Sequence, residues 1–233
     1  MPVAHVSFDV WNTLVVPNPE FARRRSAYLA DALRRDVELV RHAYARVKHE
    51  LDAAAERDGS ALATPDVYAR LFAACGCEVS PEQATALRRQ VDALFVAHPP
   101  GLAPGLAPLL AELRARGITT SIASNSNFIS GALMQPCLLS ALQHEFSCTA
   151  YSDLLGHAKP APAFFDHVVA LVHDLRPTLA RHDILHVGDH PVCDVEGARR
   201  AGLQALHVSA PEHLAEQLLA HLDHAALHPL CLA

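Results

Sequence analysis

Hydrophobic and polar positions divide this chain into two regimes. "AHVSFDV" is a short apolar run with Val and Phe, bounded by polar residues, and predicts a buried strand ending at Asp9. From about Glu20 to Ala97 the period lengthens. "PEFARRRSAYLADALRR", "VELVRHAYARVKHELDAAAER", "TPDVYARLFAAC" and "SPEQATALRRQVDALFVA" each repeat apolar residues every three or four positions, which predicts four helices. Two of these begin with strong start signals, Thr64-Pro65-Asp66 and Ser80-Pro81-Glu82.

"HPPGLAPG", with three prolines and two glycines, ends the helical stretch. Beyond it helix and strand patterns alternate. "GLAPLLAELRARG" precedes "ITTSIAS", and a helix near Ile129–Leu142 precedes "EFSCTAYS". "APAFFDHVVALVHDL" precedes "DILHVGD", and "VEGARRAG" precedes "LQALHVS". The expected fold is α/β, a Rossmann-like parallel sheet with helices on both faces. Its core comprises residues 1–15 and 100–233, and an all-α cap over residues 16–99 is inserted after the first strand.

Composition narrows the function. Hydrophobic residues make up 51% of the 233 positions and aromatics 6%, enough for a large core built mainly of helix packing. A formal charge of −6 without any Lys/Arg run gives no sign of a nucleic-acid or membrane partner, and a four-helix insert closing over a site would favour a small-molecule substrate. No apolar stretch approaches the ~20 residues that span a bilayer. "MPVAHVSFDV" lacks the basic and long apolar regions of a leader, so a cytoplasmic location is expected. Cys75, Cys77, Cys137, Cys148, Cys193 and Cys231 have no paired CxxC spacing, and reduced thiols are expected. His221, His224 and His228 stand at helical spacing, which suits an exposed helix face as well as a metal site.

Ligands of parallel α/β sheets bind at the carboxyl ends of the strands. Asp9, Ser124 and Asp189 each fall at or just past such an end, so three polar residues distant in sequence converge on one edge. The surrounding motifs resemble those of the haloacid dehalogenase superfamily over nearly the whole chain. "FDVWNTL" looks like its first motif, a strand-terminal nucleophilic Asp followed four residues later by Thr. "IASNSN" is similar to the second, "GHAKPAPAFF" to the third and "HVGDHPVCDVEGARRAGL" to the fourth.

The resemblance implies a hydrolase, with phosphoryl transfer through an aspartyl-phosphate on Asp9 as the leading expectation. Splitting the transfer into two displacements eases each one. A carboxylate facing a phosphate needs a cation between them, here Mg²⁺. Asp9, the Trp11 backbone carbonyl, Asp189 and Asp194 are the implied ligands. Lys159 is expected to neutralise Asp9 and the phosphoryl group, Ser124 and Asn125 to bind the substrate, and Thr13 to orient the nucleophile.

The first motif departs from the phosphatase pattern. Phosphatases of this superfamily place a second Asp two residues after the nucleophile, as general acid and base. Trp11 occupies that position, and indole is only an N–H donor. Asn12 replaces the usual Gly, which its tolerance of left-handed backbone permits. An aromatic residue at position 11 resembles the metal-free 2-haloacid dehalogenases, which also need a cap arginine; Arg34, Arg35 and Arg41 are available. Lys48 is the corresponding candidate for phosphonatase-like Schiff-base chemistry. A binding protein with slow or lost catalysis is the remaining alternative. If another residue supplies the proton, His42, Asp31 and Glu38 are candidates.

Overall fold

The computed structural model describes residues 3–227. β1 (His5–Phe8) stops one residue before Asp9, and β2 (Val15–Val16) leads into α1 (Pro19–Leu33), α2 (Val37–Asp58), α3 (Thr64–Ala74) and α4 (Pro81–Ala97). β3 (Gly101–Leu102) then pairs antiparallel with β2, Val15 opposite Leu102. The four helices therefore leave and rejoin the sheet through one short stem. After the stem come α5 (Leu106–Ala115), β4 (Thr119–Ser124), α6 (Gly131–Leu142), β5 (Cys148–Tyr151), α7 (Ser152–Leu155) and α8 (Pro162–Leu175). β6 (Ile184–Gly188), a π-helical turn at Pro191–Glu196, α9 (Gly197–Arg200), β7 (Gln204–His207) and α10 (Leu214–Leu227) complete the order.

Five strands form one parallel sheet in the order β5-β4-β1-β6-β7, as the alternating pattern predicts. Phe8 stands opposite Ile122 on one side and Val187 on the other. This register brings the chain out of β1, β4 and β6 at the same edge. The sheet is buried on both faces. Phe165, Val169, Val172 and Ile184 pack on one, while Val6, Phe8, Leu110, Leu138 and Leu218 belong to a larger core that continues into the helical insert. Burying each such side chain contributes about 1.5–3 kcal/mol before conformational entropy is counted.

Local chemistry sets the helix ends of the insert. Asp36 caps α2 by accepting the backbone N–H groups of Glu38 and Leu39. Ser80 caps α4 in a reciprocal box with Gln83. The other expected start signal behaves differently. Ala63 precedes α3 without a side-chain cap, and the Thr64 hydroxyl instead donates to the Asn127 carbonyl and to Asp153 Oδ2. Those bonds fasten the insert to the loop after β4 and to α7. Two elements carry no periodic signal, the β2–β3 stem and α7, because each is too short to repeat.

No helix among the described residues is long and apolar enough to cross a membrane. Cys75, Cys77, Cys137, Cys148 and Cys193 are free thiols. His221 and His224 lie on α10, where no third metal-binding side chain gathers with them among the described residues; His228 and Cys231 lie outside these.

Candidate active site

Asp9 is held at the end of β1 by its N–H, which donates to the Val187 carbonyl at 2.9 Å. The chain then folds back. Leu14 and Val15 donate N–H groups to the Val10 carbonyl, and Asn12 donates to that of Val15. Asn12 sits at φ 55, the left-handed geometry expected of the residue that replaces Gly. These bonds leave the Trp11 carbonyl out. Thr13 is buried with its hydroxyl unpartnered, so no bond links it to Asp9 as expected of an orienting residue.

Lys159 is the centre of the site. Its buried Nζ donates to Asp9 Oδ1 at 2.7 Å and to Asp194 Oδ1 at 2.6 Å. Asn125 fixes the backbone on either side of that lysine. The Lys159 N–H donates to Asn125 Oδ1 at 2.8 Å, and Asn125 Nδ2 donates to the Lys159 carbonyl at 2.9 Å. Asn125 is therefore a clamp on Lys159. Ser124, expected to bind substrate, is buried, and its hydroxyl lies 3.5 Å from the Asn125 carbonyl, outside the lining of the adjacent cavity.

Asp194 is held from three sides. Its Oδ1 also accepts from His186 Nε2 at 3.0 Å, and its Oδ2 accepts from the His190 N–H at 2.9 Å. The carboxylate lies directly over Gly188, where an added Cβ would come within 2.3 Å of Asp194 Cγ. Gly188 thus gives the fourth motif its room. Carboxylate oxygens of Asp9, Asp189 and Asp194 lie within 4.8 Å of one another.

Three carboxylates around one ammonium leave an excess of negative charge. Burial pushes the Asp9 carboxyl up to about 7, Lys159 opposing and Asp194 adding to the rise. Asp189 is raised by burial first and then by Asp194. Burial also acts on Asp194, but Lys159 and His186 outweigh it and hold that carboxyl well below its usual range. For Lys159 burial works against the charge, and the two carboxylates outweigh it and raise the ammonium. A divalent cation fits this donor set, because it supplies the charge that one lysine does not.

The cluster opens into a cavity of about 490 Å³ between sheet edge and insert. Trp11, Phe21, Tyr44, Phe95 and Phe128 form its apolar wall, with Trp11 edge-on to Phe95 at 6.4 Å. Arg25 also lines it. That side chain is 9% exposed, its guanidinium lies 3.5 Å over the Tyr44 ring, and its buried Nε has no hydrogen-bond partner. No carboxylate pairs with it among the described residues, whereas Lys48 and Lys159, the other cations on the wall, are each paired.

The arginines available to the dehalogenase alternative, Arg34, Arg35 and Arg41, are exposed and absent from the lining; Arg35 ties down the Cys75 and Gly76 carbonyls, and Arg41 pairs with Glu38. Arg25 had a signal, since it follows Phe21 by four positions on the apolar stripe of α1, where a charge is costly without a use. His42, Asp31 and Glu38 do not reach the cavity either; His49, His98, Asp52, Glu56 and His190 line it instead. Lys48 does line it, with its ammonium tied to Asp52.

The sequence model of the haloacid dehalogenase-like hydrolases matches residues 3–202. Haloacid dehalogenase-like hydrolase domain-containing protein 3 of Homo sapiens is 31% identical over 107 residues, a segment spanning 44% of this chain and 38% of that protein. Among solved structures, the magnesium-bound chain described as the HAD-hydrolase YfnB of Bacillus subtilis superposes with a TM-score of 0.69 at 18% identity, covering 96% of this chain and 100% of that one. A 2-haloacid dehalogenase of Pseudomonas syringae gives 0.59 at 22% identity, over 94% and 99%. A chain assigned as a phosphoglycolate phosphatase from Haemophilus somnus gives 0.60 at 21% identity, over 92% of both. At these identities the likeness is one of fold.

Proposed function

The chain belongs to the haloacid dehalogenase-like hydrolases, and from that premise we propose that it is a Mg²⁺-dependent phosphohydrolase acting on a small phosphate monoester. The observation carrying this reading is the excess charge at the sheet edge, where Asp9, Asp189 and Asp194 gather and the one lysine pairs with Asp9 and Asp194. Metal-free chemistry has no need of the last two carboxylates together. The magnesium in YfnB, a relative in fold, supports the same choice. Asp9, Asp189 and the Trp11 carbonyl would hold the ion, with Asp194 beside them. Bound there, Mg²⁺ offsets the repulsion between Asp9 and the phosphoryl oxygens.

In this reading a carboxylate oxygen of Asp9 attacks phosphorus and the ester oxygen leaves. Water then attacks the same phosphorus, releasing phosphate and restoring Asp9. Lys159 favours the Asp9 carboxylate against its burial and faces the charge that develops on the phosphoryl oxygens. Asn125 holds Lys159 in position. Trp11 moves no proton, so the leaving oxygen takes one from solvent or from a wall histidine, His49 or His98. The insert serves as a cap, residues 16–99, over a core of 1–15 and 100–233. The interdomain movement described for YfnB suits such a cap.

Arg25 narrows the substrate class. A buried guanidinium without a carboxylate calls for an anionic group from outside, and a planar carboxylate matches its donor fork. We assign the substrate as a phosphate ester with a second anionic group and a small apolar body. The second reading, a 2-haloacid dehalogenase, is favoured by Arg25 together with Trp11, which then wall the carboxylate and haloalkyl ends.

A panel of phosphate monoesters with and without a carboxylate, alongside 2-haloacids, tests both, each assayed with and without Mg²⁺. The expected result is Mg²⁺-dependent phosphate release that Asp9→Asn abolishes. In Arg25→Met, KM should rise about 10- to 100-fold for carboxylated esters alone, the worth of one buried charge-assisted contact. Halide release without metal would install the second reading.

A further inference from the structure

We propose that Glu56, His190 and Cys193 form a second metal site, selective for Zn²⁺ or a similar borderline-soft ion, which bridges the helical insert and the sheet core. Their ligand atoms lie within 4.8 Å of one another, and Glu56 Oε1 is 3.1 Å from His190 Nε2. Glu56 stands in the last turn of α2; His190 and Cys193 belong to the loop and π-helical turn after β6. The three therefore come from elements on opposite sides of the cavity.

The donor set is wrong for magnesium and right for zinc. Mg²⁺ takes oxygen ligands in octahedra, whereas thiolate, imidazole and carboxylate with one water make a tetrahedral zinc shell. Ligands about 2.0–2.3 Å from a tetrahedral ion lie roughly 3.3–3.8 Å apart, so a small contraction of the cluster closes the site. His190 faces Glu56 through Nε2 while its Nδ1 accepts the Cys193 N–H at 3.2 Å, so the unliganded ring carries its proton on Nε2. Cys193 is buried, and burial pushes its thiol up to about 12, so without an ion it is protonated and unreactive. On binding, the ion takes the thiolate, whose proton passes to solvent, and the neutral imidazole through Nε2, whose proton moves to Nδ1 as that nitrogen gives up the Cys193 N–H.

One ion here fastens α2 to the loop that carries Asp189 and Asp194. Zn²⁺ should accordingly hold the insert against the core and slow any turnover that requires opening. The site stands independently of which group Asp9 attacks.

The full chain, held in saturating Mg²⁺, is titrated with Co²⁺ as a spectroscopic stand-in and with Zn²⁺ by equilibrium dialysis. One equivalent should bind, with a thiolate-to-cobalt charge-transfer band. Cys193→Ser should remove the band, and Glu56→Gln, at a half-exposed position, should keep it while weakening the affinity at least tenfold. A wild type that binds Co²⁺ without the band overturns the proposal. So does a band that survives Cys193→Ser, or an affinity unmoved by Glu56→Gln. An enzyme without phosphatase activity leaves these spectra unchanged, so failure here and failure of the phosphohydrolase reading are distinguishable.

Discussion

At the scale of single residues, Asp9 states the chemistry most directly. Its folded-state carboxyl titrates near 7, against an ordinary value of 3.8. The folded, metal-free protein therefore holds a proton there that the unfolded chain releases, and its stability falls as pH rises from about 4 to about 7. Mg²⁺ must displace that proton. Its affinity should climb about fivefold from pH 6 to 7 and only about twofold from 7 to 8, as read by calorimetric titration at those three values. A flat profile would remove Asp9 from the ligand set. Trp11 makes the complementary case. It packs edge-on to Phe95 instead of presenting a carboxylate, so the wild type should hydrolyse activated aryl phosphates far better than alkyl ones, whose leaving oxygen needs a proton. Trp11→Asp should raise alkyl turnover at least tenfold with little change on aryl esters, within the roughly 10²–10⁴ range of general acid catalysis. Equal, fast turnover of both classes by the wild type would instead point to His49 or His98 as the acid. Asp9, Lys159, Asp189 and Asp194 were legible as a group because each sits in a motif of fixed spacing. Arg25 left only the mark of a charge on the apolar stripe of α1, and its contact with an aromatic face on another helix is a property of the fold.

Elements were legible wherever they repeat. The four helices of the insert and the five strands of the parallel sheet follow from period alone, since burying one face or both leaves a repeating mark on the sequence. Junctions leave no such mark, yet they set the site. α2 ends at Gly59 with φ 70, and the Gly59 carbonyl accepts the Ala158 N–H at 2.8 Å, one residue before Lys159. A Cβ at Gly59 would come within 2.3 Å of the Ala161 Cβ. Gly59→Ala combines left-handed strain with that clash, so it should cost more than about 1 kcal/mol of stability in urea unfolding. It should also lower kcat by displacing Lys159. Wild-type stability and activity in this variant would mean that the junction is not coupled to the site. The glycine is plain in the sequence, ending a helical run as many glycines do. Its second use, against a loop a hundred residues away, is a property of the fold alone.

At the scale of the molecule, the cavity wall carries five carboxylates, Asp9, Asp52, Glu56, Asp189 and Asp194, against Arg25, Lys48 and Lys159. Leaving the histidines neutral, a single Mg²⁺ brings this wall to balance. In the phosphohydrolase reading the phosphoryl dianion of a substrate then meets a neutral cavity instead of one that repels it, so ion and phosphate should bind in concert. Beryllium fluoride, which adds to a carboxylate as a phosphoryl group would, makes that concert measurable without a known substrate. Mg²⁺ alone should raise Tm modestly. Together with beryllium fluoride at about a hundredfold over its Kd, the added stabilisation should reach about 2.7 kcal/mol, or roughly 5–10 °C for a chain of this size. Asp9→Asn should keep its fold and lose the fluoride-dependent part, because an amide oxygen does not form the adduct. A dehalogenase with a metal-free Asp9 has no such concert, and its Tm would not move with the pair. A wild-type shift that persists undiminished in Asp9→Asn would place the anion elsewhere on the wall, with Arg25 the first group to test.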